Sequence, residues 1–168
     1  CGVCAFSHAT AFCQAAEKLA GIEVPQRAEN IRTLAMELER LYNHIGDVGN
    51  ICAGTGLAFG ASQGGRLKEK LLVLNEQVFG NRYLRGINRV GGVRQDLTAE
   101  KIELIKKTLA EVQMDFREVS DILLNNDSFI DRLATTGVLK PETIRDLGVV
   151  GPAARAAGIG LDTRKDHP

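Results

Sequence analysis

Residues 31–52 read Ile-Arg-Thr-Leu-Ala-Met-Glu-Leu-Glu-Arg-Leu-Tyr-Asn-His-Ile-Gly-Asp-Val-Gly-Asn-Ile-Cys, and their spacing decides the fold. Ile31, Leu34, Ala35, Leu38, Leu41, Tyr42, Ile45, Val48 and Cys52 recur at three and four residues, which lays one apolar stripe along a helix. Glu29, Arg32, Glu37, Glu39 and Arg40 take much of the remaining surface, where Glu37 and Glu39 read as solvated or ion-paired carboxylates. Pro25 suits the first helical position, because its ring presets φ and no N–H is lost there. After Gly46 and Gly49 the residues turn small, through Ala53, Gly54, Gly56, Ala58 and Gly60. Such a run either admits a second helix at close range or breaks the helix beside something bulky.

The same periodicity extends in both directions. Upstream, Ser7 is placed to cap a helix through Ala9, Ala11, Phe12, Ala15, Ala16 and Leu19, ended by Gly21. Downstream, Gly64-Gly65 precede a third helix with Leu67, Leu71, Leu72, Leu74 and Val78, stopped near Gly80-Asn81. Thr98 caps a fourth, amphipathic helix whose buried side carries Ile102, Ile105, Leu109, Val112, Phe116, Val119 and Leu123. Short helices through Phe129–Leu133 and Glu142–Leu147 follow, and then a Gly- and Ala-rich tail with a polar end from Asp162. Period-2 alternation is nearly absent and aromatic residues are 5% of the chain. These features predict an all-α fold: a bundle of three or four long helices, short helices, and a Gly/Arg-rich connector at 85–93, in one helical domain over 1–168.

The 168 residues are 44% hydrophobic and 25% charged, ordinary for a globular domain with a core. Lys plus Arg and Asp plus Glu both total 21, so no global field attracts nucleic acid or an anionic membrane. Charges interrupt every apolar run before it reaches membrane-spanning length. Four cysteines in a chain with ample core residues point to reduced thiols rather than disulfide staples. Cys13 and Cys52, set among apolar residues, read as small core side chains. The connector Arg85-Gly86-Ile87-Asn88-Arg89-Val90-Gly91-Gly92-Val93 matches neither the P-loop nor the dinucleotide fingerprint. It reads as a structural loop whose arginines face a partner. His44 reads as a hydrogen-bonded histidine at a packing interface, with a proton relay as the sharper alternative.

The chemistry concentrates at Cys1-Gly2-Val3-Cys4-Ala5-Phe6-Ser7-His8, which opens the chain on a ligand cysteine and so reads as a piece of a longer protein. The two thiols and the imidazole lie at a helix start, whose dipole and free N–H groups favour thiolate. Spacing alone leaves three uses open. They are a dithiol redox switch, half of a zinc or iron–sulfur site, or half of a soft thiolate site for a catalytic metal such as nickel.

Cys1-Gly2-Val3-Cys4 with His8 resembles the first cysteine motif of the large subunit of nickel-iron hydrogenases. Glu39–Asp47, Tyr83–Gly86, Arg89–Val93 and Val150–Gly158 resemble the membrane-bound, energy-converting, formate hydrogenlyase branch, which is related to the 49-kilodalton subunit of respiratory NADH:quinone oxidoreductase. The resemblance implies that Cys1 is a terminal nickel ligand, that Cys4 bridges nickel and iron, and that His8 donates a hydrogen bond near the bridging sulfur. It further implies oxidation of dihydrogen or reduction of protons, with electrons leaving through iron–sulfur clusters in a small partner subunit. The resemblance also implies integral membrane subunits in the complex and a place on the cytoplasmic face of the membrane. The arginine before the motif and the second cysteine pair are not in this sequence. The nickel-iron centre is therefore expected to be incomplete and the chain inactive alone, with self-association through uncovered apolar surface. The alternative implied by the same resemblance is a metal-free scaffold or quinone-site subunit of the NADH:quinone oxidoreductase type.

Overall fold

The computed structural model describes residues 2–162 and residue 165. Cys1 and most of the polar end expected after Asp162 lie outside the described residues. The elements in order are α1 (Ala5–Ala20), α2 (Gln26–Gly54), α3 (Ala58–Phe79), β1 (Asn88–Arg89), β2 (Gly92–Val93), α4 (Ala99–Leu124), α5 (Asp127–Leu133), α6 (Pro141–Leu147) and α7 (Gly151–Ala156). The fold is all-α, as the periodicity predicts. The chain forms two compact units, one running to Ile130 and the other from Asp131.

In the first unit, α2 lies between α1 and α3. Its stripe buries Ile31, Ala35, Leu38, Tyr42 and Ile45 with Leu67, Leu71, Leu74 and Val78 of α3 and Ile105 and Val112 of α4. Cys52 closes a second cluster with Val119, Leu123 and Phe129. Cys13 and Cys52 are both buried, in keeping with their apolar surroundings in the sequence. Thr98 caps α4 by accepting from the Lys101 N–H. Gly21 and Gly80 end α1 and α3 in the left-handed conformation.

Four departures from the sequence reading shape the fold. First, α3 begins at Ala58, so Gly64-Gly65 lie inside it. Gly64 is where α3 crosses α2: a methyl there would fall 2.6 Å from Gly49 Cα and 3.2 Å from the Ile45 carbonyl oxygen. Helix-breaking composition has been used here for close packing. Second, α1 presents the opposite face to the one its apolar residues suggest. Phe6, Thr10, Cys13 and Glu17 are buried, while Phe12 and Leu19 are 71% and 90% exposed. Third, Arg32 and Glu39 belong to the buried side of α2, only 5% and 2% exposed. Fourth, the connector contains an antiparallel hairpin, Asn88 opposite Val93 and Arg89 opposite Gly92, and the tail contains α7. Two-residue strands and a six-residue helix are too short to show a period.

Arg32 explains two of these departures together. Its guanidinium donates to both Glu17 oxygens, at 2.6 and 3.0 Å, and to the carbonyls of Arg89 and Gly92 at 2.7 and 2.9 Å. The Gly91 N–H donates to Glu17 Oε1 at 2.8 Å. One buried fork thus ties α1, α2 and the hairpin together, and the polar face of α1 turns inward to meet it. The hydrogen bond from Arg32 holds the Glu17 carboxyl below the usual carboxylate range, and the pair raises Arg32 in return.

In the second unit, Ile144 of α6 and Ala154 of α7 are buried. The Arg155 guanidinium lies 3.8 Å from the Asp162 carboxylate.

Two outcomes follow from this packing. Gly64→Ala lowers stability by about 1–3 kcal/mol through overpacking against backbone, whereas Gly65→Ala, which meets nothing within 4 Å, raises it by up to about 1 kcal/mol through helix propensity. Chemical denaturation of both variants checks the contrast. Because Glu17 is depressed in the folded state, its contribution is complete above the ordinary glutamate value of about 4.3 and is lost as pH falls through the folded value. The stability gap between the native chain and Glu17→Gln is therefore widest near neutral pH and closes in acid, as urea titrations at several pH values will read.

Candidate functional site: the N-terminal loop on α2

Ser7 is not the cap of α1. The helix starts at Ala5, Cys4 occupies the capping position, and no side chain of the local sequence caps it. The cap comes from α2 instead. The Glu39 carboxylate accepts from the Phe6 N–H at 2.7 Å, from the Ser7 N–H at 2.9 Å, and from the Ser7 hydroxyl. A buried anion thus meets two of the unpaired N–H groups at the positive end of the helix.

The next turn of α2 completes the grip. Tyr42 donates its hydroxyl to the Gly2 carbonyl at 3.1 Å, and Asn43 donates through Nδ2 to the Val3 carbonyl. Tyr42 is wholly buried, and burial first, with the Glu39 charge adding, pushes its phenol up to about 12, so it remains a neutral donor. Glu39, Tyr42 and Asn43 stand three and four residues apart and share a helix face, which is how one helix reaches Gly2, Val3, Phe6 and Ser7 at once. Tyr83 supports the loop from the far side. A methyl on Gly2 would approach Tyr83 Cε1 to 2.9 Å, so only glycine fits without displacement. The Tyr83 ring meets Tyr42 edge-on at 6.5 Å and carries the Arg85 guanidinium 5.7 Å from its centroid.

This cradle presents the expected site residues outward. Cys4 and His8 are exposed, and the His8 N–H donates to the Cys4 carbonyl at 3.1 Å as part of the first helical turn. Cys1 lies outside the described residues. His44 is exposed on α2, not at the packing interface that the sequence suggests. Glu39, a solvated or ion-paired carboxylate on the sequence reading, is corrected to a buried cap, because three donors replace the water it gives up. Glu37 does pair with Arg40, at 2.6 Å. The spacing of Glu39, Tyr42 and Asn43 is visible in the sequence, but nothing there shows that a carboxylate between Leu38 and Arg40 faces inward.

A nickel-iron centre asks for four thiolates. Among the described residues, no group of three or more His, Cys, Asp or Glu side chains comes together to hold a metal ion. Cys13 and Cys52 are committed to helix packing, leaving Cys4 as the exposed thiol of that set. The described residues do not fit a complete centre.

Residues 1–47 match the family model for nickel-dependent hydrogenase, and residues 47–168 match that for the respiratory-chain NADH dehydrogenase 49 Kd subunit. The chain is 37% identical over its whole length to formate hydrogenlyase subunit 5 of Escherichia coli, covering 30% of that protein. Over 97% of its length it is 36% identical to NADH-quinone oxidoreductase subunit 4 of Thermus thermophilus, covering 40% of it. The fold matches a chain in the structure of the membrane-bound sulfane sulfur reductase, an archaeal respiratory membrane complex. That match has a TM-score of 0.84 and 27% identity, over 90% of this chain and 41% of that one. The chain spans less than half the length of each of these relatives. It belongs to the family that unites the large subunits of nickel-dependent hydrogenases with the 49 Kd subunit of the respiratory NADH dehydrogenases.

Proposed function

We propose that this chain works as a helical scaffold within the large subunit of an NADH:quinone oxidoreductase-like complex, holding its N-terminal loop in fixed register against an electron-transferring partner. The observation that carries this reading is the match of residues 47–168, most of the chain, to the 49 Kd subunit. The Glu39, Tyr42 and Asn43 grip on residues 2–7 supplies the fixed register. It is made by hydroxyl, carbonyl, amide and carboxylate groups alone and does not call on the thiol of Cys4. The partner is a small iron–sulfur subunit, and membrane subunits of the complex supply a peripheral attachment. None of the helices among the described residues is long and apolar enough to cross a membrane.

A second reading, part of the catalytic subunit of a nickel-iron hydrogenase, is favoured by the match of residues 1–47 and by the Cys1, Cys4 and His8 pattern. Cys1 and Cys4 would then be two of the metal's thiolate ligands and would need two more from elsewhere. In either case the work of this chain's own residues is the same: α2 orients the loop and keeps its backbone donors paired.

Loss of the cap in Glu39→Ala costs about 1–2 kcal/mol and speeds amide exchange across residues 5–8. Under the scaffold reading, association with a co-expressed small iron–sulfur subunit weakens in Glu39→Ala and is unchanged in Cys4→Ser. Incubated anaerobically with Ni(II) and desalted against a chelator, the chain retains less than about 0.1 nickel per molecule. Stoichiometric nickel that disappears in Cys4→Ser would decide for the hydrogenase reading.

A further inference from the structure

Arg32 of α2 is the shared attachment point of two elements that lie far from each other in sequence. Its guanidinium holds Glu17 of α1 and, in the hairpin, the carbonyls of Arg89 and Gly92. α1 and the hairpin are also bonded to each other. The Gly91 N–H donates to Glu17 Oε1 at 2.8 Å, and Asn88 Nδ2 donates to Thr10 Oγ1 at 2.7 Å. Apolar anchors stand at the edges of this arrangement: Phe6 at the start of α1, and Ile87 and Leu97 on either side of the hairpin, all enter the principal cluster. Among the described residues, Arg32 Nε and Asn88 Oδ1 are buried and find no protein partner.

We propose that α1 and the hairpin form one opening unit, latched by Arg32, which leaves α2 as a whole while α2, α3 and α4 stay folded. Each half-open state is penalised. If α1 left alone, the hairpin would still cover the guanidinium after its carboxylate had gone, and the Gly91 N–H would lose its acceptor. Taking one partner from a buried pair is the costly case. If the hairpin left alone, Arg32 would lose two acceptors, Glu17 one donor, and Thr10 its bond from Asn88. Neither element persists once released, because a free helix of 16 residues is marginal in water and so is a lone two-stranded hairpin. Opening also hydrates Arg32 Nε and Asn88 Oδ1, which places the unit at the low-stability end of the fold. Leu67, Leu71, Leu74 and Val78 of α3 are at most 1% exposed and open only with the whole unit. α1 begins beside Cys4 and carries His8, and the hairpin follows Tyr83 and Arg85. A contact that holds either element closed therefore holds the other, by the same factor in both directions.

Native-state hydrogen exchange of the chain in rising, sub-denaturing urea, at a pH where closing outruns exchange, reads the opening unit directly. The N–H groups of residues 10–20 in α1 and those of Gly91 and Arg94 will merge on one isotherm. Its urea dependence will be weaker than that of the Leu71, Leu74 and Val78 N–H groups, because less surface is exposed. Gly92→Ala tests the coupling from the hairpin side. The Gly92 φ of 154° favours glycine, and the added methyl meets Ala28 of α2 and no atom of α1 within 4 Å. The strain speeds exchange in the hairpin by about fivefold or more, and residues 10–20 follow by the same factor. Separate isotherms for α1 and the hairpin would overturn the proposal, as would a shared one that coincides with that of α3. So would a Gly92→Ala chain in which residues 10–20 exchange at the native rate.

Discussion

Backbone contact between α2 and α3 at Gly49 and Gly64 is the constraint on which the rest of the first unit depends. With no Cβ on either side, the two helices approach until the Gly64 position lies against the Gly49 backbone, and dispersion is gained along the whole crossing. That spacing lets Tyr42, Ile45, Leu67 and Leu71 close one cluster on one side of the crossing. On the other side Cys52 reaches Val119, Leu123 and Phe129. Gly60 repeats the device a turn earlier on α3, where a side chain would collide with Cys52 and Leu123.

Once α3 and α4 have closed the apolar clusters on α2, α1, its preceding loop and the hairpin are positioned on α2 by directional polar groups. Arg32 binds α1 and the hairpin through Glu17 and two carbonyls. Two turns further along, Glu39, Tyr42 and Asn43 bind the loop that carries Cys4. Buried ionic groups contribute little net stability against apolar replacements, but leaving one partner alone is costly. Here they specify which face of α1 turns inward and where the thiol-bearing loop lies. Such placement is difficult to obtain from nondirectional apolar packing, and α1 has few large apolar residues on its inward side to provide it.

Parts of this were legible in the chain and parts were not. The stripe from Ile31 to Cys52, the Thr98 cap and the stops at Gly21 and Gly80 could be read because each depends on neighbours within a turn or two. The family motifs could be read as patterns, and the grip gives one of them a physical meaning: the segment from Glu39 to Asn43 is the side of α2 that holds the first cysteine motif. Glu39 and Arg32 could not be placed, since a charged residue beside an apolar stripe is on the solvent face until a partner arrives from elsewhere in the chain. Gly64-Gly65 misled for the same reason. Local propensity marks a helix boundary there, and only the presence of Gly49 across the crossing makes glycine favourable inside the helix.

The sequence by itself therefore determined the all-α class, the long helices and the identity of the exposed thiol and imidazole, because periodicity, caps and ligand chemistry are properties of short stretches. Tertiary structure alone decided that α1 packs by its polar face and that a carboxylate more than thirty residues away caps it. It also decided that Cys4 is presented outward on a cradle built by α2. Each of those outcomes rests on a donor and an acceptor that are distant in the chain, and a buried hydrogen bond has no signature until both are brought together.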